Sequence, residues 1–309
     1  MKLSIVATLY QSAPYLQEFH RRATAAARDL ADDDYEILLV DDGSPDDSLE
    51  IALALRQIDP RLVIIELSRN FGHHKAMMTG LAHANGDLVF LLDSDLEEEP
   101  EWLCRFHQEM LTSGCDVVYG AQEQRKGGIF ERWSGQWFYR SFKLLTGMAL
   151  PENVVTARLM RRPYVQALVA HREREVFMAG LWHITGFDQR ACRVKKHSTS
   201  ATTYTLSRKL SLLVNSVTSF SNAPLVSIFY TGLMICCIAL AYIAYLFVHW
   251  AFLARPLSGW TSVMASIWLL GGMIISFIGI IGIYLSKIFS ETKQRPYTIV
   301  RQLHAKRTG

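Results

Sequence analysis

Two long apolar stretches near the C-terminus constrain the fold of this 309-residue chain more than any other feature. Residues 225–248 and 260–286 contain no Asp, Glu, Lys or Arg. Each stretch is longer than the roughly 20 residues that a helix needs to cross the hydrocarbon core of a bilayer. The link between them is too short to form a domain. The pattern therefore predicts a hairpin of two transmembrane helices, at about 225–249 and 261–286.

Basic residues flank this hairpin on its outer sides. Arg208 and Lys209 precede it, six Lys or Arg residues follow it, and the link contains only Arg255. Because short cytoplasmic loops are enriched in Lys and Arg, we expect an inner (cytoplasmic) membrane protein with both termini in the cytoplasm. Just before the hairpin, residues 205–223 have apolar side chains at helical spacing. This segment predicts an amphipathic helix, either at the membrane interface or packed on the soluble domain.

The region before the hairpin alternates short apolar runs with helical patterns. The runs are rich in Val, Ile and Leu and lie at residues 3–7, 37–40, 62–67, 88–92 and 117–119. Helical patterns lie between them, at about 14–30, 46–57, 73–84 and 100–113. This alternation is typical of a doubly wound, mostly parallel α/β sheet, whose ligands bind at the carboxyl ends of the strands. The expected parts of the chain are a catalytic domain, an amphipathic helix, a hairpin and a cytoplasmic tail, at 1–204, 205–223, 224–289 and 290–309.

Overall charge and cysteine content exclude several classes of protein. The net charge is only +3, whereas proteins that bind nucleic acid usually carry a strongly basic face. The five cysteines form no C-x-x-C pair, and two of them lie in an apolar stretch. This spacing fits neither a zinc site nor a disulfide framework. We therefore expect reduced, buried thiols and no nucleic-acid partner.

An acidic segment directly follows the apolar run at 88–92. It reads Asp93-Ser94-Asp95, and Glu97, Glu98 and Glu99 come shortly after it. Two carboxylates at a strand end can hold a divalent cation together with a diphosphate, because Mg²⁺ prefers oxygen ligands and often shares them with substrate phosphates. A solvated acidic turn is the alternative explanation, in which Glu98 and Glu99 only decorate the start of the next helix.

Two further polar segments follow the second and third apolar runs. The first, Asp41-Asp42-Gly43-Ser44, could bind a base or a ribose, or could form a turn that leads into the next helix. The second, Ser68-Arg69-Asn70-Phe71-Gly72-His73-His74-Lys75, can present a guanidinium group and helix N-terminal amides to a phosphate or a base. Adjacent histidines on a helix point apart, so a shared metal site at His73 and His74 is not expected.

Taken together, these motifs resemble those of a known enzyme family. The order Asp-Asp-Gly-Ser, Ser-Arg-Asn-Phe-Gly and Asp-Ser-Asp-Leu resembles the GT-A fold of family-two glycosyltransferases. The C-terminal third contains Ser219-Phe-Ser221, Gly279-Ile-Ile-Gly282 and Gln294-Arg295-Pro296. These resemble the dolichol-phosphate-mannose-synthase-like, bacterial polyprenyl-phosphate glycosyltransferases, and the resemblance covers nearly the whole chain.

The resemblance implies an activity and its substrates. It implies an inverting, metal-dependent transfer from a UDP-, GDP- or dTDP-sugar to undecaprenyl or dolichyl phosphate at the cytoplasmic membrane face. The product would supply lipid-linked sugar for cell-surface glycans. Because a lipid phosphate is already anionic, cationic side chains that align it would substitute for a general base. Glycines in the second apolar stretch would also allow helices of neighbouring copies to pack, which is consistent with a homo-oligomer.

The resemblance also implies roles for individual residues. Asp93, Asp95 and Glu97 would hold Mg²⁺ or Mn²⁺ with the donor diphosphate, and Asp93 and Asp95 are expected catalytic residues through that metal. Asp41 or Asp42 would contact the nucleotide base. The other expected contacts with the donor or the acceptor are Thr8, Tyr10, Arg69, Lys75, Ser94, Arg125, Arg132, Arg140, Ser141, Thr156 and Arg158. Of these, Arg125 and Arg132 are expected to act in catalysis at the acceptor phosphate.

One departure from the family pattern leaves the acceptor open. Thr156 stands where relatives have Asp in the stretch that ends Arg158-Leu-Met160, and Thr cannot act as a base at neutral pH. An alternative is transfer to a hydroxyl of a lipid-linked saccharide, which needs a general base. The candidate bases are Glu152, Glu173 and Glu175. A further alternative is a non-catalytic membrane protein that retains the fold, against which the intact Asp93 and Asp95 argue.

Overall fold

The structure, a computed structural model, divides into two compact units. It describes residues 1–122, 140, 142–148, 151, 153–174, 176–196, 214, 217–252 and 259–305. The first unit comprises Met1–Tyr139, Ala149–Tyr204 and Arg295–Gly309. The second comprises Arg140–Met148 and Thr205–Gln294. The first unit therefore contains both the N-terminal part of the chain and its C-terminal end.

The described residues of the first unit form an eight-stranded sheet. Its strands are β1 (Leu3–Leu9), β2 (Tyr35–Asp41), β3 (Leu62–Leu67), β4 (Leu88–Leu91), β5 (Val117–Gln122), β6 (Val154–Arg161), β7 (Gln189–Val194) and β8 (Val300–His304). Their spatial order is β7-β5-β6-β4-β1-β2-β3-β8. Strands β1 to β4 pair in parallel, as do β5 and β7, whereas β6 and β8 run antiparallel to their neighbours. The predicted mostly parallel α/β sheet of GT-A type is confirmed.

Helices cover both faces of this sheet. They are α1 (Leu16–Ala31), α2 (Ser48–Ile58), α3 (His73–His83), α4 (Trp102–Ser113), α5 (Arg162–Val169) and α6 (Met178–Ile184). Helices α1, α2 and α4 pack on one face, and α3, α5 and α6 pack on the other. Successive strand residues therefore point into different cores: Ile5 into the first and Val6 into the second. Burial on both faces explains why the strands appear in the sequence as continuous apolar runs.

The last strand, β8, is not predicted by the sequence, which suggests only a tail over residues 290–309. It pairs antiparallel with β3. The guanidinium of Arg301 donates hydrogen bonds to Glu66 Oε1 at 2.8 Å and to the carbonyl of Ser68 at 2.9 Å. The hydroxyls of Thr298 and Thr79 are 2.8 Å apart. The C-terminal end of the chain thus covers the edge of the sheet that β3 would otherwise expose.

The second unit contains two long helices, α7 (Ala223–Phe252) and α8 (Trp260–Thr292). Among the described residues, one segment is long and apolar enough to cross a membrane, Leu269–Thr292, with a mean hydropathy of 2.1. The described apolar part of α7 is shorter, Ala223–Ile235, so the first predicted span stays a prediction. The predicted amphipathic helix at 205–223 lies largely outside the described residues.

Polar contacts join the segment before α7 to the end of α8. The phenol of Tyr284 donates to the carbonyl of Ser221 at 2.6 Å, and Lys287 Nζ donates to Ser219 Oγ at 2.7 Å. Ser221 Oγ in turn donates to the carbonyl of Leu145. The Ser219-Phe-Ser221 motif therefore has a structural role at one end of this unit.

Candidate active site

The polar segments after β1 to β4 lie at one edge of the sheet because these strands are parallel. A hydroxyl links two of the segments: Ser94 Oγ donates to the carbonyl of Thr8 at 2.8 Å. Ser12 Oγ lies 2.9 Å from Ser94 Oγ. Ser94 is also buried. Its hydroxyl therefore fixes the acidic segment to the end of β1 and does not face a substrate.

Residues 93–98, which we call the acidic loop, fold back on themselves. Leu96 has a φ of 60°, a left-handed conformation that is strained for a leucine. Its side chain packs against the core, which supports that conformation. The turn brings the backbone N–H of Glu97 to Asp95 Oδ1 at 3.0 Å. The acidic loop therefore holds its carboxyl groups close together.

His73 bridges the end of β1 and the acidic loop. Its Nδ1 lies 3.0 Å from Thr8 Oγ1, and its Nε2 lies 3.2 Å from Asp93 Oδ1. Burial raises the pKa of Asp93, but the neighbouring His73 and Lys196 outweigh burial and hold that pKa below its ordinary value. Asp93 is therefore a carboxylate at neutral pH. Thr8 is an expected substrate contact, and its hydroxyl instead faces this histidine.

Glu98 is a member of the site that the sequence does not identify. It is fully buried, and its Oε1 accepts a hydrogen bond from the backbone N–H of Thr156 at 2.9 Å. Its Oε2 lies 3.4 Å from the backbone N of Asp93. Burial, together with the charge of Asp93, raises the pKa of Glu98 to about 8. The alternative that Glu98 only decorates the start of a helix is therefore wrong.

Lys196 is the second site residue that the sequence does not identify. Its Nζ lies 3.8 Å from Asp93 Oδ2, 3.3 Å from Glu97 Oε2 and 3.7 Å from Glu98 Oε1. It follows β7 by two residues, and β7 runs parallel to β5. A prediction of β7 as a strand would have placed this lysine at the same sheet edge as the acidic loop.

The acidic loop has the chemistry of a site for a hard divalent cation. Its groups are carboxylates, which Mg²⁺ and Mn²⁺ prefer. The ammonium group of Lys196 already lies among three of them, and Asp93 Oδ1 is buried without a well-aligned hydrogen bond. Over the part of the chain that the structure describes, no three His, Cys, Asp or Glu side chains are arranged tightly enough to enclose a metal ion. By their chemistry the residues of the acidic loop fit such an ion, and Asp93, Asp95 and Glu97 are the residues that would hold it.

The two aspartates that end β2 have different surroundings. Both oxygens of Asp42 accept backbone hydrogen bonds, from Phe71 at 2.7 Å and from Gly72 at 2.9 Å. Asp41 is also buried, and Oδ1 of its side chain lies 3.3 Å from the backbone N of Ser44. Burial raises the pKa of Asp41 to about 6. Asp42 therefore holds the segment after β3, and Asp41 is the freer candidate for contact with a base.

Gly43 allows the segments after β2 and β3 to approach closely. It has a φ of 62°, and a Cβ atom at this position would lie 2.6 Å from the backbone of Arg69 and Asn70. A side chain is therefore excluded on two grounds. Arg69 lies next to this contact, is exposed, and places its guanidinium 4.1 Å from the ring centre of Phe71.

Two expected substrate contacts lie near these segments. Tyr10 follows β1 and is 50% exposed. Lys75 lies in the first turn of α3 and is partly buried. Both lie at the carboxyl edge of the sheet, where a donor would bind.

The residues expected to contact the acceptor are described less completely than those expected to contact the donor. Arg125, Arg132 and Ser141 lie outside the described residues. Arg140 is exposed and belongs to the second unit. Thr156 lies beside the acidic loop through its contact with Glu98.

Arg158 is fully buried rather than exposed at the edge. Its guanidinium carbon lies 3.0 Å from the ring centre of Trp182, and its Nε lies 3.3 Å from the carbonyl of Thr156. Burial lowers its pKa to about 10, so it stays charged at neutral pH. In this position Arg158 supports the strand beneath Thr156, and a substrate role for it stays a prediction.

Comparisons with known proteins identify the family of this chain. Residues 4–169 match the family described as glycosyl transferase family 2. A Mycobacterium tuberculosis (strain CDC 1551 / Oshkosh) protein whose name places it among glycosyltransferases is 53% identical over 304 residues, which cover 98% of this chain and 89% of that protein. The SfII prophage-derived bactoprenol glucosyl transferase of Shigella flexneri is 30% identical over 307 residues, which cover 98% of this chain and 99% of that protein. Among solved structures, S. aureus TarS residues 1–349 align with a TM-score of 0.46 and 19% identity, covering 71% of this chain and 65% of that one.

Proposed function

This chain is a glycosyltransferase that belongs to glycosyl transferase family 2, and on that premise we propose that it transfers a sugar from a nucleotide-sugar donor to a polyprenyl phosphate. The observation that carries the proposal is the match to bactoprenol glucosyl transferases over nearly the full length of both chains. That match includes the apolar C-terminal third. An enzyme with a lipid acceptor would use such a region at the membrane, whereas an enzyme with a soluble acceptor would not need it.

The donor would bind at the carboxyl edge of the sheet. Asp41 would accept a hydrogen bond from the nucleotide base, because it is the last residue of β2 and is not held by the segment after β3. Asp42 would act indirectly, because its two amide contacts fix the backbone at Phe71 and Gly72. Tyr10, Arg69 and Lys75 would then line the base and diphosphate, as the family resemblance implies. The nucleotide could be UDP, GDP or dTDP.

A divalent cation would complete the donor site. Asp93, Asp95 and Glu97 would hold Mg²⁺ or Mn²⁺, and that ion would supply positive charge against the diphosphate as it leaves the sugar. The protein's own contribution is the shape of the acidic loop. Ser94 fixes that loop to β1, and Leu96 turns it. A site held in this way needs little rearrangement during the reaction.

The acceptor would react without a general base. A lipid phosphate is anionic at neutral pH, so its oxygen can attack the anomeric carbon as the nucleoside diphosphate departs from the opposite side. This single displacement inverts the anomeric configuration. Thr156 fits such a reaction, because a base is not needed where relatives have Asp. Arg125, Arg132, Arg140 and Ser141 would align the lipid phosphate, which stays a proposal from the family resemblance.

The C-terminal helices would keep the catalytic domain beside its lipid acceptor. Helix α8 contains a segment that could span the bilayer, and we propose that α7 spans it as well. The catalytic domain, 1–204, and both termini would then face the cytoplasm, with 205–223 at the membrane interface. The tail would return to the catalytic domain through β8. A homo-oligomer through the glycines of α8 stays a prediction.

A second function is supported by Glu98. Transfer to a hydroxyl of a lipid-linked saccharide needs a base with a raised pKa. Glu98 is a buried carboxyl group beside Thr156, and burial raises its pKa to about 8, so only the fraction that is ionised at neutral pH could act as a base. The bases suggested by the sequence are less informative, because Glu152 and Glu175 lie outside the described residues. Glu98→Gln would separate the two functions, since it would block only a reaction that needs a base at this position.

The experiment that tests the proposal supplies each acceptor in turn. Detergent-purified full-length protein is incubated with Mn²⁺, radiolabelled UDP-, GDP- and dTDP-sugars, and either undecaprenyl phosphate or a lipid-linked saccharide. We expect label in the organic extract with undecaprenyl phosphate alone, in a product that mild acid cleaves. Label that appears only with the lipid-linked saccharide would contradict the proposal and favour the second function.

A further inference from the structure

The position of Lys196 suggests a role that the proposed reaction does not yet assign. Its ammonium group lies within 3.3 to 3.8 Å of carboxyl oxygens from Asp93, Glu97 and Glu98. Two of these residues, Asp93 and Glu97, are expected ligands of the divalent cation. The side chain of Lys196 is only 21% exposed, so solvent screens these contacts less than at the surface.

The strand before Lys196 holds this side chain in place. Strand β7 ends at Val194, which is buried in the core, and its register with β5 fixes the direction in which the chain leaves the sheet. Lys195, the next residue, is exposed. The two adjacent lysines therefore have different surroundings: Lys195 is exposed, whereas Lys196 forms ion pairs with the acidic loop.

We propose that Lys196 is an internal counter-ion of the acidic loop and that the divalent cation must displace its ammonium group from Asp93 and Glu97. The inference rests on the proposed metal role of the same loop. It makes Lys196 a positioning residue, which acts through Asp93 and Glu97.

The physical reason is that the same carboxylates cannot accommodate both cations. An ammonium group and a divalent ion that share the carboxylates of Asp93 and Glu97 would repel each other at contact distance. Lys196 offsets the mutual repulsion of these carboxylates, while the Ser94 hydrogen bond to Thr8 and the turn at Leu96 keep the shape of the loop. Lys196 therefore lowers the affinity of the loop for metal because it competes for the same carboxylates. After displacement its ammonium group would be free to pair with the incoming diphosphate.

The test measures metal binding without any donor, so that it does not depend on turnover. Full-length wild type, Lys196→Met, Lys196→Arg and the control Lys195→Met are titrated with Mn²⁺, and free Mn²⁺ is followed by electron paramagnetic resonance. We expect Lys196→Met to bind Mn²⁺ about tenfold more tightly than wild type, since one charge at this distance shifts ion affinity by about that factor or more. Lys196→Arg and Lys195→Met should bind as wild type does.

Several outcomes would overturn the inference. Lys196→Met that binds Mn²⁺ as weakly as Lys195→Met, more weakly, or not at all would mean that Lys196 does not compete with the ion. Thermal unfolding of each variant checks the fold, and Lys196→Gln gives the same comparison if the Met variant unfolds. The proposed function fails separately, by loss of Mn²⁺-dependent transfer in the wild type, so the two failures can be told apart.

Discussion

The segments that follow β2 and β4 both place two aspartates at the edge of the sheet, yet their charges are balanced in different ways. Asp42 accepts hydrogen bonds from two backbone amides of the segment after β3. Asp93 faces side chains instead, His73 at 3.2 Å and Lys196 at 3.8 Å. Backbone amides cannot leave unless the loop unfolds, whereas side chains can turn away when another cation arrives.

The difference shows that aspartate has two roles in this site: it supports the backbone at Asp42, and it forms exchangeable contacts in the acidic loop. The carboxylate of Asp42 is committed to structure, because all of its strong contacts are internal. The acidic loop has contacts that can be exchanged, as the proposed binding and release of a metal with each donor would require. The predictions below are ordered from the largest expected effect to the smallest, and each tests this difference between Asp42 and the acidic loop.

The largest effect is expected for Asp95→Ala in the acidic loop. Loss of this carboxylate should reduce transfer by about 1,000-fold, because the charge on the leaving diphosphate would lose its support. The measurement is label in the organic extract at saturating Mn²⁺. Asp29→Asn is the control: it removes an exposed carboxylate near the end of α1, at the opposite edge of the sheet, and should transfer at the wild-type rate. A rate within tenfold of wild type for Asp95→Ala would show that transfer does not depend on this carboxylate of the acidic loop.

A large effect on stability, rather than on chemistry alone, is expected for Asp42→Ala. The partly buried backbone amides of Phe71 and Gly72 would lose a charged acceptor, a loss of about 3 kcal/mol. For a unit of this size that loss lowers Tm by about 5–10 °C. Thermal unfolding of the full chain in detergent measures it. Asp41→Asn is the matched control, and an equal drop in both variants would show that Asp42 has no special structural role.

An intermediate effect concerns pH and Asp41. Burial raises the pKa of Asp41 from 3.8 to about 6, so the group is ionised above that pH and can accept a hydrogen bond from a base. Donor affinity should therefore fall by up to about tenfold per pH unit below 6, as measured by calorimetry between pH 5 and 8. In Asp41→Asn this particular dependence should vanish. An unchanged pH profile in that variant would assign the dependence to another group.

The same shift has a stability consequence of known sign. A carboxyl group whose pKa is raised on folding stabilises the protein below its ordinary pKa, and that contribution is lost as the pH rises through about 6. Asp41→Asn should therefore unfold at a higher temperature than wild type at pH 8, and the difference should disappear near pH 4.

The smallest effect is expected for Arg301→Ala in β8. Its guanidinium binds Glu66 and the carbonyl of Ser68, just before the segment that Asp42 holds. The side chain is 60% exposed, so the pair should contribute only about 0.5–1 kcal/mol. A fall in Tm of about 1–4 °C with full transfer activity is expected. Loss of activity would mean that the tail, as well as Asp42, positions the segment after β3.

The part of the fold that sequence reasoning predicts is the part whose strands are buried on both faces. Strands β1 to β5 are continuous apolar runs, and their ends identify the loops of the site. Strand β8 reads Val-Arg-Gln-Leu-His and lies at the edge of the sheet with its residues largely exposed, so no apolar pattern marks it. Its partner β3 is more than 200 residues away in the chain, and a local pattern cannot indicate such a pairing.

The site itself is only partly predictable for a related reason. The motif containing Asp41 and Asp42 does not reveal which of the two carboxylates will accept hydrogen bonds from the segment after β3. Nor does the sequence indicate that Glu98 is buried or that Lys196 lies beside it, because both depend on where β6 and β7 join the sheet. These residues would have been found only if the antiparallel β6 and the half-exposed β7 had been recognised as strands.

The most direct test of the account is whether transfer to undecaprenyl phosphate depends on a metal held by the acidic loop. Purified wild type and Asp95→Ala are stripped with EDTA, assayed, and assayed again after Mn²⁺ or Mg²⁺ is added back. The account predicts that the wild type loses transfer on chelation and recovers it with either ion, while Asp95→Ala recovers nothing. Full transfer by a wild-type protein that elemental analysis finds free of metal would contradict it.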